Sequence, residues 1–552
     1  MTTTNWIILI LSVLIILYLW SNYKKKQRFI KFKKYLISHW GKTKTDKYFN
    51  FFSIKQYFEN NSHKNKAFHL ISNSTVNDLD LEEVFKFIDR TSSKIGQQFL
   101  YYKLRTISPK EQLESFSLLT ELFENDEKLR LKTQLQLSKL NTPNNYDFEA
   151  LVNDKPLEKP SYYKYVYALT FAAILFIFLS FFKAVFVLPL ILIFAVNSVI
   201  HLKNKQNVTY YNSAIFQFVK SLKVGTSLAQ EQKITQHFKD TSFLSALKKI
   251  KLKTEFISFD NKMDDPIASI LWFFVELIKI QFNIGTLLFY SFINSITNEK
   301  ENLDKLFQFI GEIDSAIAIA SVKSGELTTC KPQFVTEKLL SVKEISHPLV
   351  KNCVSNSLEL DHKSLLLTGS NMSGKTTFIR SIALNTLFAQ SFDFAFAKEF
   401  TLPFLKLYSS IKIADELIND TSYYLKEVLT IKELINASNN STPSLFVLDE
   451  IFKGTNTVER ISGGKAILSY LNNENNFVLV STHDIELTDL LKEQQFDLYH
   501  FTETIQDEKL HFDHKLKQGK LKTRNAIKIL ELHNYPKEII EDARKVEKDV
   551  FL

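Results

Sequence analysis

The sequence predicts two structural parts: a helical N-terminal part with membrane-spanning segments, and a C-terminal α/β domain built on a mostly parallel sheet. Short apolar runs alternate with helical patterns from about residue 345 onward, which is typical of parallel strands covered by helices. Two stretches, residues 6–20 and 165–200, are apolar over lengths near those of bilayer-crossing helices. Residues 365–377 join an apolar run to a helical pattern through glycines, which favours a strand–loop–helix unit.

The composition says more about the cellular compartment of the protein than about its function. The chain has 552 residues, enough for several domains, and 45% of them are hydrophobic. Its two cysteines, Cys330 and Cys353, are too few for a disulfide framework and lack metal-ligand spacing, which fits a reducing compartment. The net charge is +9, but a basic cluster between positions 24 and 34 supplies most of it. The charge therefore indicates a membrane flank rather than a nucleic-acid partner.

The first apolar run, Trp6 to Trp20, predicts an N-terminal transmembrane anchor over residues 1–22. Tryptophans at both ends suit the two membrane interfaces. A cleaved signal peptide is disfavoured because no basic side chain precedes the run and no small-residue cleavage site follows it. The basic cluster after the run places the rest of the chain in the cytoplasm, where its lysines can contact anionic lipid headgroups.

Residues 23–163 are predicted to form a basic juxtamembrane region and the first part of a helical core. Asp80 to Ile107 carries two amphipathic segments around Gly96, with apolar residues at helical spacing. On periodicity alone, this stretch is a pair of core helices without chemistry.

Two further apolar runs, about 165–182 and 184–200, meet at Lys183 and predict a transmembrane hairpin over residues 164–202. Lysines on both flanks place the two ends in the cytoplasm, and a single buried helix of a soluble protein is the alternative. Residues 203–344 complete the helical core. Within them, Ile267 to Ile296 is either a buried helix or a helix lying against the membrane, since another span would put the C-terminal domain outside.

The stretch Leu365 to Thr377, LLLTGSNMSGKTT, fits the phosphate-loop pattern. Backbone N–H groups of such a loop and the following helix N-terminus hold phosphate anions, Lys375 reaches the β- and γ-phosphates, and Thr376 ligates Mg²⁺. A glycine turn without chemistry is the alternative, which the strand–loop–helix context disfavours. The loop residues predicted to bind ATP are Gly369, Ser370, Asn371, Met372, Ser373, Gly374, Lys375, Thr376 and Thr377.

Two later strands end in residues suited to hydrolysis. Ser444 to Leu448 is a buried run followed by Asp449 and Glu450. Asp449 is predicted to hold Mg²⁺ together with Thr376, and Glu450 to orient the attacking water. The next run leads to His483, which is placed to sense the γ-phosphate. The predicted catalytic residues are Glu450, His483 and Lys375.

Together these stretches resemble the MutS family of DNA mismatch repair ATPases. The phosphate loop has Asn371-Met372 after its first two residues, as in that family. The segments DEIFKGTNT (449–457) and STHDIEL (481–487) are similar to the family's Asp-Glu and Ser-Thr-His segments, and His347-Pro348-Leu349 resembles the element that opens its ATPase domain. The resemblance is most specific over about 345–543 and weaker over about 79–107 and 303–345.

The resemblance implies an α/β P-loop (ABC-type) ATPase domain over residues 345–552, preceded by a MutS-like helical core, acting as a homodimer with ATP and Mg²⁺ as cofactors. Asp415 to Val428 is similar to the loop whose serine completes the partner's ATP site, which implies Ser422 as a further ATP ligand. DNA is implied as a partner. However, the family's mismatch-recognition domain is not visible in residues 1–78. The basic run Lys509 to Arg524 is more typical of a solvated surface than of a track that binds DNA phosphates.

The leading interpretation is a multi-pass ATPase of the cytoplasmic membrane, with its ATPase domain in the cytoplasm, whose ATP cycle switches a dimer and is coupled to DNA. The alternative is the ATPase component of a transporter, or a switch for a membrane partner without a DNA role. Ile461 to Lys465, ISGGK, superficially resembles a transporter signature but follows Asp449-Glu450 instead of preceding it. A scaffold that binds nucleotide without turnover is disfavoured by the intact Lys375, Glu450 and His483.

Overall fold

The computed structural model describes residues 3–45, 48–153, 157–254, 266–370, 372–412, 423–439, 441–473, 475–506, 509–521 and 526–551. The chain divides into two compact units. The helical unit comprises residues 1–62, 89–102 and 115–324, and the sheet unit comprises 63–88, 103–114 and 325–552. The sequence pattern places the C-terminal domain from about 345, whereas the sheet unit starts earlier and takes in two segments from the N-terminal half.

The helices among the described residues range from single turns to more than ten turns. They are α1 (Thr3–Ser38), α2 (Phe51–Asn60), α3 (Asn73–Asp78), α4 (Leu81–Ile88), α5 (Lys94–Arg105), α6 (Lys110–Asn125), α7 (Glu127–Leu137), α8 (Phe148–Asn153), α9 (Tyr163–Ser180), α10 (Val187–Leu228), α11 (Gln232–Thr235), α12 (Phe243–Thr254), α13 (Pro266–Gln281), α14 (Ile284–Asn298), α15 (Lys300–Lys323), α16 (Lys375–Phe392), α17 (Tyr423–Ser438), α18 (Thr457–Leu471), α19 (Glu486–Leu491), α20 (Ala526–Leu532) and α21 (Lys537–Phe551).

The strands lie in the sheet unit. They are β1 (His69–Leu70), β2 (Thr106–Ile107), β3 (Gln333–Val335), β4 (Leu339–Ile345), β5 (Asn356–Asp361), β6 (Ser364–Thr368), β7 (Glu399–Pro403), β8 (Lys406–Ser410), β9 (Ser444–Asp449), β10 (Phe477–Thr482), β11 (Phe496–His500), β12 (Glu503–Gln506), β13 (Lys509–Phe512) and β14 (Lys517–Gln518).

The core of the helical unit forms around α15, whose second half is buried on all sides. The sequence predicts a helix break at Gly96, but the break lies at Asp89 to Ser93 and Gly96 is inside α5. Gly96 serves a close approach, because a Cβ there would lie 2.1 Å from Oδ2 of Asp314 on α15. The Asp314 carboxylate accepts the N–H groups of Ser92 and Ser93 at 2.8 Å each, and the Ser93 hydroxyl accepts the N–H of Gly96 at 2.9 Å and so caps the start of α5. Burial raises the pKa of Asp314 to about 6.

By length and composition, two described helical segments could cross a membrane, Tyr163–Ser180 and Ala184–Lys205. Only 11% of the most apolar stretch of each segment is buried. The chain turns between them near Lys183, where the sequence predicts the hairpin turn. α10 then continues to Leu228, well past the predicted end of the apolar run, and its later part packs in the helical core. The predicted N-terminal anchor and the basic cluster form one helix, α1.

The sheet that carries the site has six strands in the order β14-β11-β6-β10-β9-β8. Every neighbouring pair is parallel except β11 with β14. Parallel strands covered on both faces read as continuous apolar runs, and β6 and β10 are buried along their whole length. A separate four-stranded sheet, β3-β7-β4-β5, is mixed, because β3 and β7 are parallel whereas β4 pairs antiparallel with both of its neighbours.

Parallel register brings the ends of three neighbouring strands together. Val480 of β10 lies opposite Leu366 of β6 on one side and Leu448 of β9 on the other. The residues that follow these strands therefore emerge side by side at one edge of the sheet, which is where ligands bind in open α/β sheets.

Candidate functional site

The loop between β6 and α16 is shaped by its two glycines. Gly369 has φ +151°, and a Cβ there would lie 2.8 Å from the carbonyl oxygen of Phe501. Gly374 has φ +108° and immediately precedes α16. Residues with a Cβ rarely adopt this φ, so this position favours glycine. The N-terminal N–H groups and dipole of α16 therefore border a narrow backbone cradle that suits a phosphate anion.

Lys375 begins α16 and turns back over the loop. Its Nζ donates to the carbonyl oxygens of Gly369 at 2.7 Å and Ser370 at 2.9 Å, and lies 3.4 Å from Nε2 of His483. The side chain is buried, and burial lowers its pKa while the nearby carboxylates oppose that change. A buried ammonium among backbone carbonyls is the donor that β- and γ-phosphate oxygens require.

The two predicted Mg²⁺ ligands are in direct contact. The Thr376 hydroxyl donates to Oδ2 of Asp449 at 3.0 Å, and the Ser481 hydroxyl donates to the other carboxylate oxygen. Ser481 and Asp449 are register partners in the β9–β10 pair, so the sheet itself fixes this contact. An oxygen-only donor pair beside a phosphate cradle fits Mg²⁺, which binds few protein ligands and keeps water and substrate oxygens.

Glu450 and His483, two of the predicted catalytic residues, are also in contact, although the sequence predicts separate roles for them. Nε2 of His483 lies 3.0 Å from Oε1 of Glu450, and Lys453 lies 3.6 Å from the other oxygen. The hydrogen bond from His483 lowers the pKa of Glu450 to about 2, and the positive charges of Lys453 and Lys375 add to this effect. Glu450 is therefore an ionised carboxylate at neutral pH, at the end of a strand next to the phosphate loop.

The remaining predicted loop residues divide into structural and exposed positions. Ser373 donates its hydroxyl to the Ser370 carbonyl at 2.8 Å, and Ser370 donates its own to Glu503 at 2.6 Å. Met372, with φ +70°, is 83% exposed. Thr377 lines an adjoining pocket. Asn371 and Ser422, the other predicted ATP ligands, lie outside the described residues.

The sequence does not indicate the pocket beside the loop. It has a volume of about 250 Å³ and is lined mainly by the segment that follows the His347-Pro348 element, by the first turns of α16, and by residues after β11 and β13. Val350, Val354 and Phe378 give it apolar walls, and His514 also lines it and donates through Nδ1 to the Ser373 carbonyl at 3.0 Å. A pocket of this kind beside a phosphate cradle suits the base of a nucleotide.

Glu427 is a second feature that the sequence motifs do not single out. It lies on α17 and is 1% exposed. Its carboxylate accepts the N–H of Lys453 at 3.2 Å and faces the N–H groups of Phe452 and Gly454. Glu450 and Phe452 both have positive φ, 57° and 59°, which is costly for residues with side chains. Glu427 therefore holds the strained turn that presents Glu450.

Comparison with known proteins finds the family description "MutS domain V" over residues 365–550. Among relatives, the DNA mismatch repair protein MutS of Listeria welshimeri is 34% identical over 258 residues, covering 45% of this chain and 30% of the relative. The same protein of Aquifex pyrophilus is 29% identical over 266 residues, covering 46% and 30%. That of Pseudothermotoga lettingae is 30% identical over 263 residues, covering 46% and 32%.

The chain thus spans about a third of the length of these curated relatives. The matched family segment begins in β6 and contains the phosphate loop, the Asp449-Glu450 pair and His483. Residues 365–550 are therefore similar to MutS domain V, and this segment carries the phosphate loop, the Asp449-Glu450 pair and His483.

Proposed function

We propose that this protein is a membrane-anchored ATPase of the MutS family that binds and hydrolyses Mg²⁺-ATP in a homodimer and uses the cycle to change conformation. One observation carries the ATPase part: Lys375, the Thr376–Asp449 pair and the Glu450–His483 pair converge at the ends of three neighbouring strands. Phosphoryl transfer needs positioning and charge stabilisation more than covalent chemistry, and these groups supply both.

Each side chain has a distinct task in this proposal. The backbone cradle and Lys375 bind the phosphates, and the pocket lined by Val350 and Phe378 takes the base. Bound Mg²⁺, held by Thr376 and Asp449, would neutralise charge on the phosphates. Glu450, ionised at neutral pH, accepts a hydrogen bond from the attacking water and orients it. His483 fixes the Glu450 carboxylate through their hydrogen bond at 3.0 Å and lies near Lys375.

The membrane part of the proposal is supported by the exposed apolar surface of α9 and the first half of α10, and by the run of apolar residues followed by lysines in α1. Because the proposed hairpin crosses the membrane twice, the sheet unit stays on the same side of the membrane as the basic cluster, which is the compartment that contains ATP. The dimer, with Ser422 completing the partner's site, is proposed from the family resemblance.

DNA is the proposed partner because the relatives are named as DNA mismatch repair proteins. The competing function is a switch for a membrane partner, or the ATPase part of a transporter, without a DNA role. The ATPase rate of the detergent-solubilised protein should be measured without DNA and with matched, mismatched and branched duplexes across a salt series. Stimulation that declines with salt supports the DNA role, because phosphate contacts release counterions. A rate indifferent to every DNA would favour the membrane partner.

The turn held by Glu427 gives a prediction for a residue outside the motifs. Glu427→Ala should lower kcat for ATP by about tenfold or more, because even small misplacement of an orienting group is costly. KM should change little, since the phosphate loop and base pocket are untouched. Glu427→Gln should recover much of the rate, because its amide oxygen still accepts the N–H groups of the turn.

A control separates this positioning role from general loss of stability. Asp314→Ala removes another buried carboxylate that accepts two backbone N–H groups, but its partners Ser92 and Ser93 belong to the helical unit. Both variants should lower the thermal unfolding temperature. A fall in kcat that merely tracks that temperature in both variants would show that Glu427 has no specific role at the turn.

A further inference from the structure

The described side chains of α13 have the reverse of the polarity expected for a helix in water. Phe274, Leu277 and Ile278 are 58%, 39% and 52% exposed, and their spacing places them on one face. Glu276 and Lys279 lie on the opposite face, where they form an ion pair at 3.3 Å with side chains only 22% and 14% exposed. A surface helix of a soluble protein turns its apolar face inward and its charges outward.

The C-terminal end of α13 is fastened to the α9–α10 hairpin. The Thr170 hydroxyl donates to the carbonyl oxygen of Phe282 at 2.9 Å, and Nδ2 of Asn197 donates to that of Gln281 at 2.6 Å. These are carbonyls that a helix end leaves without intrahelical partners. The Phe282 ring also lies edge-on to Phe194 of α10, with centroids 6.3 Å apart. The hairpin therefore supplies both polar caps and apolar packing to this helix end.

The anchoring residues fix the depth of α13 relative to the hairpin. Thr170 lies in α9 about 10 Å along the helix axis from Tyr163, and Asn197 lies about 12 Å from Lys205, at a rise of 1.5 Å per residue. Helices that lie in a membrane interface bury their apolar face about 5–10 Å into the boundary between headgroups and acyl chains. With the membrane boundary taken at Tyr163 and Lys205, the ends of the two apolar segments, the end of α13 lies about 10–12 Å inside that boundary, close to the depth of an interfacial helix.

α13 does not have the geometry of another crossing. Its 16 residues extend about 24 Å, which is shorter than a bilayer core of about 30 Å. The helix ends at Gln281, and Asn283, whose φ is 54°, breaks the chain direction before α14 begins. α12 and α14 contact each other, and α14 is buried through Phe289, Tyr290 and Phe292. The chain therefore returns from α13 into the helical core through α14.

We propose that α13 is an interfacial helix whose apolar face, Phe274, Leu277 and Ile278, binds the lipid bilayer beside the hairpin. This inference rests on the membrane anchoring proposed above. The bilayer is the proposed occupant because α13 is capped by the same two helices that form the proposed membrane hairpin, whose exposed apolar side chains include Phe171 at 69% exposure. The inward Glu276–Lys279 pair then stays in the protein, away from lipid.

Site-directed spin labelling of the full-length protein in phospholipid vesicles tests the proposal. Phe274→Cys and Ile278→Cys are made in a Cys330→Ser, Cys353→Ser background and labelled with a nitroxide. Phe171→Cys on the hairpin is the lipid control, and Leu118→Cys, 53% exposed on α6 of the same unit, is the aqueous control. Collision with lipid-soluble oxygen and with a water-soluble nickel chelate is measured at each position by electron paramagnetic resonance.

Labels at 274 and 278 should match Phe171→Cys in oxygen accessibility, with nickel accessibility several-fold below that of Leu118→Cys and a shallower depth than Phe171→Cys. If the labels at 274 and 278 are as accessible to nickel as Leu118→Cys, while Phe171→Cys stays protected, the interfacial helix is overturned and the membrane hairpin is retained. Protection from both reagents with dipolar broadening between labels would assign the face to a second copy of the chain instead. Nickel access at Phe171→Cys would remove the membrane anchoring itself.

Discussion

Lys375→Ala should reduce ATP hydrolysis by about a hundredfold or more, the scale for losing a preorganised charged donor at a reacting phosphate. Lys375 is the ammonium that reaches the loop carbonyls, at 2.7 and 2.9 Å, so its loss leaves no equivalent donor among the described residues of the loop. Nucleotide binding should weaken as well, because the same charge faces the ground-state phosphates. Steady-state turnover and binding of a fluorescent ATP analogue measure the two effects separately.

A matched control for this variant is Lys338→Ala. Lys338 is another buried lysine of the sheet unit, 4% exposed, whose pKa burial lowers to about 8, and it contacts Asn472 rather than the loop. Its loss should cost stability without removing turnover. Unchanged hydrolysis in Lys375→Ala would contradict the phosphate-loop assignment, whatever the family membership of the chain.

Glu450→Gln should bind ATP, but its rate of ATP hydrolysis should fall by about a hundredfold or more, since general-base and water-orienting groups contribute on that scale. The amide keeps the size of the side chain but loses the charge that His483 holds at 3.0 Å. ATP should therefore accumulate on the enzyme, which rapid filtration with labelled ATP detects, and the proposed dimer should persist on size-exclusion chromatography. Glu486→Gln, an exposed position in the first turn of α19, is the control.

The low pKa of Glu450 adds a pH prediction. Its carboxyl titrates near 2 in the folded protein against an ordinary value of 4.5, so its interaction with His483 stabilises the fold above about pH 4.5 and is lost as pH falls toward 2. Protonation of Glu450 therefore does not limit turnover at the pH of ordinary assays. If Glu450→Gln hydrolyses ATP at the parental rate at neutral pH, another residue positions the water.

The sequence predicts which residues lie at the strand ends of the site, because these positions follow from the order of strands. β6, β9 and β10 are continuous apolar runs, and each is followed at once by residues with chemistry. Once such strands are parallel neighbours, the residues at their ends lie side by side; in this structure Thr376 contacts Asp449, as the shared Mg²⁺ role predicts, and Glu450 also contacts His483. Local sequence is enough here because the functional residues sit directly at strand ends.

The features that the sequence does not indicate depend on distant partners. His514 reaches the Ser373 carbonyl across 141 positions of the chain, and Gly96 matters only because Asp314 approaches it from another helix. Glu427 lies in an amphipathic helix where a glutamate is unremarkable, and its role appears only when the turn at Lys453 packs against it. The residue types at Glu450 and Phe452 likewise give no sign of their positive φ, since neither residue is glycine.

The most direct test of the proposed ATPase is the steady-state rate of ATP hydrolysis by the purified full-length protein as Mg²⁺ is removed with a chelator and then restored. The Thr376–Asp449 oxygen pair predicts turnover that is lost without Mg²⁺, returns on its addition, and is nearly absent at every Mg²⁺ concentration in Lys375→Ala. Turnover that persists without divalent cation, or that is equal in wild type and Lys375→Ala, would show that this site is not where ATP is hydrolysed.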